Sequence, residues 1–302
     1  MVSGIIFDIK RYAIHDGPGI RSTVFFKGCS LQCQWCHNPE GIHTEPEIFL
    51  RNEKCPSECR FCISACPNGA IRRNKGSIEV DLSRCDLCSD CEDACVYGAL
   101  EIIGRKVSVE DVMGELEKDS LFYEESQGGV TFSGGEPFEQ PKFLDALLDK
   151  SKSKDLHTTV DTCGNFNPDL LANFDRKVDL FLYDLKMIDD KKHKKYTGKS
   201  NNLILDNLRQ LTANGHRVAI RIPLIAEIND DDENIEKTVE FLKTLNHVKQ
   251  INLLPYHSGG SLKQKRLGKK QLRTGFHSPS NERIEAIKNI FKDNGFSVKV
   301  GG

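Results

Sequence analysis

Eight of the twelve cysteines in this 302-residue chain fall between Cys55 and Cys95. They repeat at an offset of 29 residues: Cys59 matches Cys88, Cys62 matches Cys91, Cys66 matches Cys95, Gly69 and Ala70 match Gly98 and Ala99, and Ile71 matches Leu100. Only Cys55 and Cys85 are out of step, by one residue. The start, MVSGIIFDIKR, reaches Asp8 and Lys10 before a signal-peptide apolar region can build, and no later run has the ~18 apolar residues of a membrane span. The expected location is therefore cytoplasmic. Thiols in that reducing compartment rarely pair as disulfides, so the clustered ones are expected to bind metal.

The repeat reads Cys55-x3-Cys59-x2-Cys62-x3-Cys66-Pro67 and Cys85-x2-Cys88-x2-Cys91-x3-Cys95. This is the layout of bacterial ferredoxins, in which three close thiolates hold three irons of one cube and the fourth cysteine of the run crosses to the other cluster. It assigns Cys55, Cys59, Cys62 and Cys95 to one 4Fe-4S cluster and Cys66, Cys85, Cys88 and Cys91 to a second. Two structural zinc sites are the alternative, since eight thiolates also satisfy two tetrahedral zinc ions, although zinc favours paired knuckles over triplets.

Elsewhere, β-branched or aromatic runs at 23–26, 129–132, 158–160, 178–183, 218–224, 251–254 and 296–300 alternate with amphipathic stretches. The latter cover 109–118, 138–152, 169–174, 203–214, 232–245 and 281–293. Such alternation implies parallel strands joined by crossover helices. Six or seven units fall short of the eight of a closed barrel, so the expected fold class is α/β, a partial (β/α)6 TIM-like barrel; a doubly wound sheet is the alternative. The cysteine-rich stretch, 47–107, reads as a ferredoxin-like insert after the first unit, dividing the barrel into 1–46 and 108–302.

A further triplet, Cys29-x3-Cys33-x2-Cys36, has no fourth cysteine nearby. Three thiolates on a four-iron cube leave one iron open to a substrate or cofactor; Cys163 donated from afar is the alternative, against its plainer reading as a small buried residue. This triplet resembles the signature of the radical S-adenosylmethionine (SAM) superfamily. Across nearly the whole chain the sequence is similar to the activating enzymes of glycyl radical enzymes. The matching residues run from His15-Asp16-Gly17-Pro18-Gly19-Ile20-Arg21 through Cys36-His37-Asn38-Pro39-Glu40, Ser133-Gly134-Gly135-Glu136-Pro137, Asp161-Thr162-Cys163-Gly164 and Asp184-Leu185-Lys186. They continue with Arg221-Ile222-Pro223-Leu224-Ile225, Asn229-Asp230 and Leu254-Pro255-Tyr256-His257. The two-cluster insert resembles the larger members of this group.

The resemblance implies three 4Fe-4S clusters, SAM, and a monovalent cation that Asp161 and Thr162 help to place beside the SAM carboxylate. Gly134 and Gly135, through their carbonyls, and Glu136 are expected to accept hydrogen bonds from the SAM ammonium. Asp184 is expected to bind ribose hydroxyls, Lys186 to offer charge to the carboxylate or ribose, and His257 to lie against ribose or adenine. Arg221 either contacts SAM or pairs with an acid inside the barrel. These motifs fall at or just after strand ends, where the reactive groups of a parallel barrel gather. No protein acid or base is required, because cluster and SAM carry the chemistry. Trp35 and His37 are expected to shield the cluster. Ala226-Glu227 stands where the family usually has Pro-Gly, so a differently shaped loop is expected there.

The implied partner is a glycyl radical enzyme offering a glycine loop, with a flavodoxin or ferredoxin as electron donor and the protein itself a monomer. A radical SAM enzyme acting on another peptide or a small molecule is the alternative; a ferredoxin-like carrier or zinc module leaves most of the chain unexplained. Lys and Arg number 42 against 44 Asp and Glu, a net charge of -2 with no global pull toward nucleic acid or an anionic membrane. Two basic runs remain, Lys191, Lys192, Lys194 and Lys195 around His193, and Lys263, Lys265, Arg266, Lys269, Lys270 and Arg273. They read as solvated loops, with docking of a protein partner as the functional alternative.

Overall fold

The structure is a computed structural model that describes residues 2–269 and 275–301. In chain order its strands are β1 (Ser3–Ala13), β2 (Arg21–Phe26), β3 (Glu47–Leu50), β4 (Ile71–Asn74), β5 (Ser77–Val80), β6 (Leu100–Ile103) and β7 (Arg105–Ser108). They continue with β8 (Gly129–Gly134), β9 (His157–Thr162), β10 (Leu180–Asp184), β11 (Val218–Leu224), β12 (Gln250–Pro255) and β13 (Ser297–Val300). One nine-stranded sheet has the order β13-β12-β11-β10-β9-β8-β2-β1-β7. From β2 through β13 each neighbouring pair is parallel. Every run expected to be a strand is one. Missing from that expectation are β1 and β7, which extend one edge antiparallel. The side chains of β1 are largely exposed along its outer half, so its apolar alternation is broken by charge.

Helices supply the crossovers because their apolar residues fall on one face. Pro141–Lys152 buries Phe143, Leu144, Leu147, Leu148 and Ser151, a spacing of three and four that lays one stripe on the sheet. Asp232–Lys243 starts where the Asp231 side chain accepts the Asn234 N–H, and Asn281–Asp293 where Ser280 accepts that of Arg283. Each such cap contributes about 1 kcal/mol. The 169–174 stretch is a 3-10 helix, Pro168–Phe174, rather than an α-helix.

The sheet is open, with β7 and β13 as edges, and the loops that follow β2 and β12 meet across it. A Cβ on Gly260, just beyond β12, would lie 2.1 Å from the Cys36 carbonyl oxygen, and the His37 and His257 ring centroids are 6.0 Å apart. At the opposite end the loop before β2 folds inward. Arg21 is fully buried there and donates to Thr131 Oγ1, Thr159 Oγ1 and the Val130 and Pro18 carbonyls at 2.6–3.0 Å. Burial pulls its pKa down to about 10.

The insert has its own two-stranded sheets, β3 with β6 and β4 with β5. Its small core holds Ile48, Ile71, Ile78, Leu100 and Ile102 beside Cys62 and Cys91. The two cysteine runs place short helices at matching points, Phe61–Ala65 and Asp90–Asp93. Strand β7 straddles the expected boundary at 107 and pairs with β1 in the large sheet.

Both basic runs differ from the expected loops. Asp190–Thr197 is a helix in which Lys192 pairs with Asp231, Lys194 with Asp190, and His193 is buried against Lys199 O at 2.7 Å. Gly259–Arg266 is also helical, and its basic face is used within the molecule. Lys263 pairs with Glu40 at 2.6 Å, Arg266 pairs with Glu53, and Lys269 pairs with Glu47 at 2.8 Å, fastening this helix to the cysteine loop and to the insert. Lys270 and Arg273 lie outside the described residues. No helix among the described residues is long and apolar enough to cross a membrane, and all twelve cysteines are free thiols.

Candidate functional site

A cavity of about 360 Å³ opens at the C-terminal ends of β2 and of β8 through β12. Cys29, Cys33 and Cys36 form one wall, Gly134 and Gly135 an edge, and Asp161, Asp184, Lys186 and Arg221 the floor, with Tyr256 and His257 also lining it and His257 next to His37. Trp35 and His37 also line it; Trp35 is buried against Tyr196 and Phe276, with ring centroids 5.9 and 6.1 Å away. Cys163 is buried as expected, and it also lines the cavity with Cys29. The neighbouring Cys163 thiol holds the Cys29 pKa below its ordinary value.

Glu136 departs from its expected place. Its carboxylate is fully buried behind the lining, where it accepts hydrogen bonds from Thr162 Oγ1 at 2.9 Å, the Cys163 N–H at 2.8 Å and the Phe138 N–H at 3.2 Å. It fixes the ends of β8 and β9 to each other rather than facing the cavity. The glycines beside it answer to backbone packing. Gly134 has φ +110°, and a Cβ on Gly135 would lie 2.2 Å from Gly28 O and 2.4 Å from Gly41 O, so only glycine brings this edge against the cysteine loop.

Burial pushes Glu136 from the ordinary 4.5 up to about 7. The folded state then holds this proton more tightly than the unfolded chain, so the group's contribution to stability falls as pH rises from about 4.5 to 7 and is level above. The ceiling is roughly 3 kcal/mol. Urea unfolding across pH 5–7.5 is expected to show this decline in the wild type and a flatter profile in Glu136→Gln; equal slopes would refute it.

The floor is a buried charge cluster. Arg221 Nη1 lies 3.2 Å from Asp161 and 3.8 Å from Asp16, and its Nε is 3.8 Å from Asp184. Lys186 pairs with Asp184 at 2.8 Å. Arg221 and Asp184 sit opposite each other across β10 and β11, so Arg221 pairs with acids while also lining the cavity. Ser133 Oγ donates to Asp161 at 2.7 Å, and burial pushes Asp161 up to about 6 despite Arg221. Asp16 and Asn229 carried no assigned role in the sequence. Asn229 is fully buried and donates to the Lys186 and Pro223 carbonyls at 2.7 and 2.6 Å, tying two strand ends together. The motif was the only signal for it. In the Ala226-Glu227 loop, Glu227 takes φ +64°, the left-handed conformation a glycine favours.

In the insert, burial raises the Cys62 thiol, and Cys55, Cys95 and Cys59 raise it further. Burial pushes Cys91 up to about 11, with Cys85, Cys66 and Cys88 adding to it. Among the described residues no three His, Cys, Asp or Glu side chains stand close enough together to hold a single metal ion.

Residues 23–242 match the radical SAM superfamily. This chain belongs to that superfamily. It is 46% identical over 301 residues to the trans-4-hydroxy-L-proline dehydratase activating enzyme of Clostridioides difficile, covering 99% of each chain. To the isethionate sulfite-lyase activating enzyme of Nitratidesulfovibrio vulgaris it is 41% identical over 86% of each. A crystal structure of a domain of pyruvate-formate lyase-activating enzyme from Bacteroides vulgatus superposes with TM-score 0.50 at 35% identity, covering 58% of this chain and 99% of that one. Within the radical SAM superfamily the protein is one of the activating enzymes of glycyl radical enzymes. A 4Fe-4S cluster and SAM are the cofactors this implies. The cavity fits them: three thiols share one wall, and glycine backbone, carboxylates and a lysine follow it along the strand ends.

Proposed function

We propose that this radical SAM activating enzyme works in the cytoplasm as a monomer with three 4Fe-4S clusters, a flavodoxin or ferredoxin supplying the electron. Cys29, Cys33 and Cys36 hold the cluster that leaves one iron open. Cys55, Cys59, Cys62 and Cys95 hold a second, and Cys66, Cys85, Cys88 and Cys91 a third, in an insert spanning 47–107 between barrel segments 1–46 and 108–302. Bound together, cluster and SAM supply reductive cleavage to a 5′-deoxyadenosyl radical, which takes hydrogen from a glycine of the partner.

The remaining roles belong to this chain's own side chains. The Gly134–Gly135 edge receives the SAM ammonium, Asp184 and Lys186 orient ribose and carboxylate, and His257 lies against ribose or adenine. Three acids, Asp16, Asp161 and Asp184, face two cations, Arg221 and Lys186, so the floor carries an excess negative charge suited to an ammonium or a monovalent cation. Glu136 acts through Thr162 and Cys163 as a positioning residue. Aromatic walls and strand-end loops exclude water from the reacting atoms.

The observation that carries this reading is the convergence of the three-thiol wall, the glycine edge and the charged floor on one cavity in a chain aligned over its whole length with an activating enzyme. Anaerobic mixing with SAM, a low-potential reductant and a glycyl radical enzyme is expected to give 5′-deoxyadenosine and a glycyl doublet by electron paramagnetic resonance. Abundant 5′-deoxyadenosine without a doublet, with a partner that another activase does activate, would favour a different peptide or a small molecule as substrate.

A further inference from the structure

The two cysteine quartets of the insert are alike in spacing and unlike in surroundings. Each receives one backbone hydrogen bond at sulfur, Ala70 N–H to Cys66 Sγ at 3.3 Å and Ala99 N–H to Cys95 Sγ at 3.2 Å. Because Cys66 and Cys95 belong to opposite quartets, these bonds do not distinguish the two sites. A side chain does. Arg73, on β4, donates from Nη2 to Cys55 Sγ at 3.1 Å and to the carbonyls of Pro56 and Cys59 at 3.2 and 2.9 Å. Its guanidinium therefore braces the Cys55–Cys59 loop, the one whose extra residue puts Cys55 out of step with Cys85.

Among the described residues no guanidinium is bonded to a sulfur of the second quartet: Arg84, beside Cys85, donates instead to the Asn68 carbonyl at 2.5 Å. At the matching offset stands Ile102, an apolar member of the insert core. Cys88 is exposed, and its N–H is bonded to an acid, Asp86, at 3.3 Å. A cation bonded to a ligand sulfur stabilises the more negative, reduced state of a cluster, whereas a nearby carboxylate opposes it.

We propose that Arg73 makes the two insert clusters unequal in reduction potential, so that a single electron in the insert resides on the cluster of Cys55, Cys59, Cys62 and Cys95. The inference rests on the two-cluster reading of the insert. Each cluster takes up one electron, from dithionite in the test below, and no bond is broken.

The test is an anaerobic redox titration of the reconstituted full-length protein, followed by electron paramagnetic resonance, with iron content measured alongside. Wild type should hold about twelve irons. Arg73→Gln should keep that iron and show one insert signal shifted to lower potential by about tenfold in the oxidised-to-reduced ratio, about 59 mV for one electron. Arg73→Lys, which keeps the charge, should shift less. The Arg73→Gln shift should persist when Cys88→Ala removes the other cluster. Full iron with unmoved potentials overturns the proposal alone, as does a Lys variant that shifts as far as the Gln variant. If Arg73→Gln loses iron, the Lys variant decides: near-wild-type iron and potential support the proposal, and a full shift overturns it. A wild type holding only about four irons overturns the two-cluster reading and this proposal with it.

Discussion

Cys33→Ala protein, reconstituted anaerobically and given dithionite and SAM, is expected to release no 5′-deoxyadenosine above background and to hold about eight irons rather than about twelve. Cys33 is buried, and burial pushes its thiol up to about 12, so without metal it stays protonated at neutral pH. Only a bound metal makes a thiolate favourable there. Removing it leaves Cys29 and Cys36, too few to hold three corners of a cube. Cys88→Ala gives the contrast. Cys88 is exposed and remote from the cavity lining, so that variant should still cleave SAM when a strong chemical reductant replaces the protein donor. Cleavage surviving in Cys33→Ala would mean the active cluster is misplaced.

Arg221→Met is expected to destabilise the protein by about 3–5 kcal/mol near neutral pH, the usual cost of leaving buried charges unpaired. Asp16, Asp161 and Asp184 would then face Lys186 alone. The sign of the pH dependence follows from Asp161. With Arg221 present, burial already pushes this carboxyl up to about 6, and removing the cation pushes it higher. The deficit is a cost of ionisation, so it shrinks as pH falls through that raised value and is full above it. Urea unfolding at pH 5 and pH 8 measures both limits. A deficit that is equal at the two pH values would show that lost packing, not charge, carries the effect. SAM affinity, measured separately, should change as well, because the floor's charge balance has changed.

The parallel strands were legible because buried strands are continuous β-branched or aromatic runs, and those runs need no knowledge of their neighbours. The hairpin partner β1 was not, since its outward residues carry charge and its pairing with β7 joins segments about a hundred residues apart. Glu136 shows the same limit within the site. A motif places a carboxylate beside two glycines, but whether it faces the cavity depends on Thr162 and Cys163 arriving at the end of β9 with two hydrogen-bond donors. The lysines of 263–269 read as a solvated run because their acidic partners, Glu40, Glu47 and Glu53, lie more than two hundred positions away in the chain.

The sequence by itself determined the chemistry: the cysteine spacings, their internal repeat and the ordered motifs name the cluster ligands expected and the superfamily, because ligand number and spacing are local properties of the chain. Tertiary structure alone decided where charge is buried and what each charged group faces. Arg221 between three acids, Glu136 turned behind the lining, Cys163 against Cys29 and Arg73 across Cys55 are contacts between distant segments. Their energies depend on burial and on which partner arrives, and neither is a property of any one stretch of sequence.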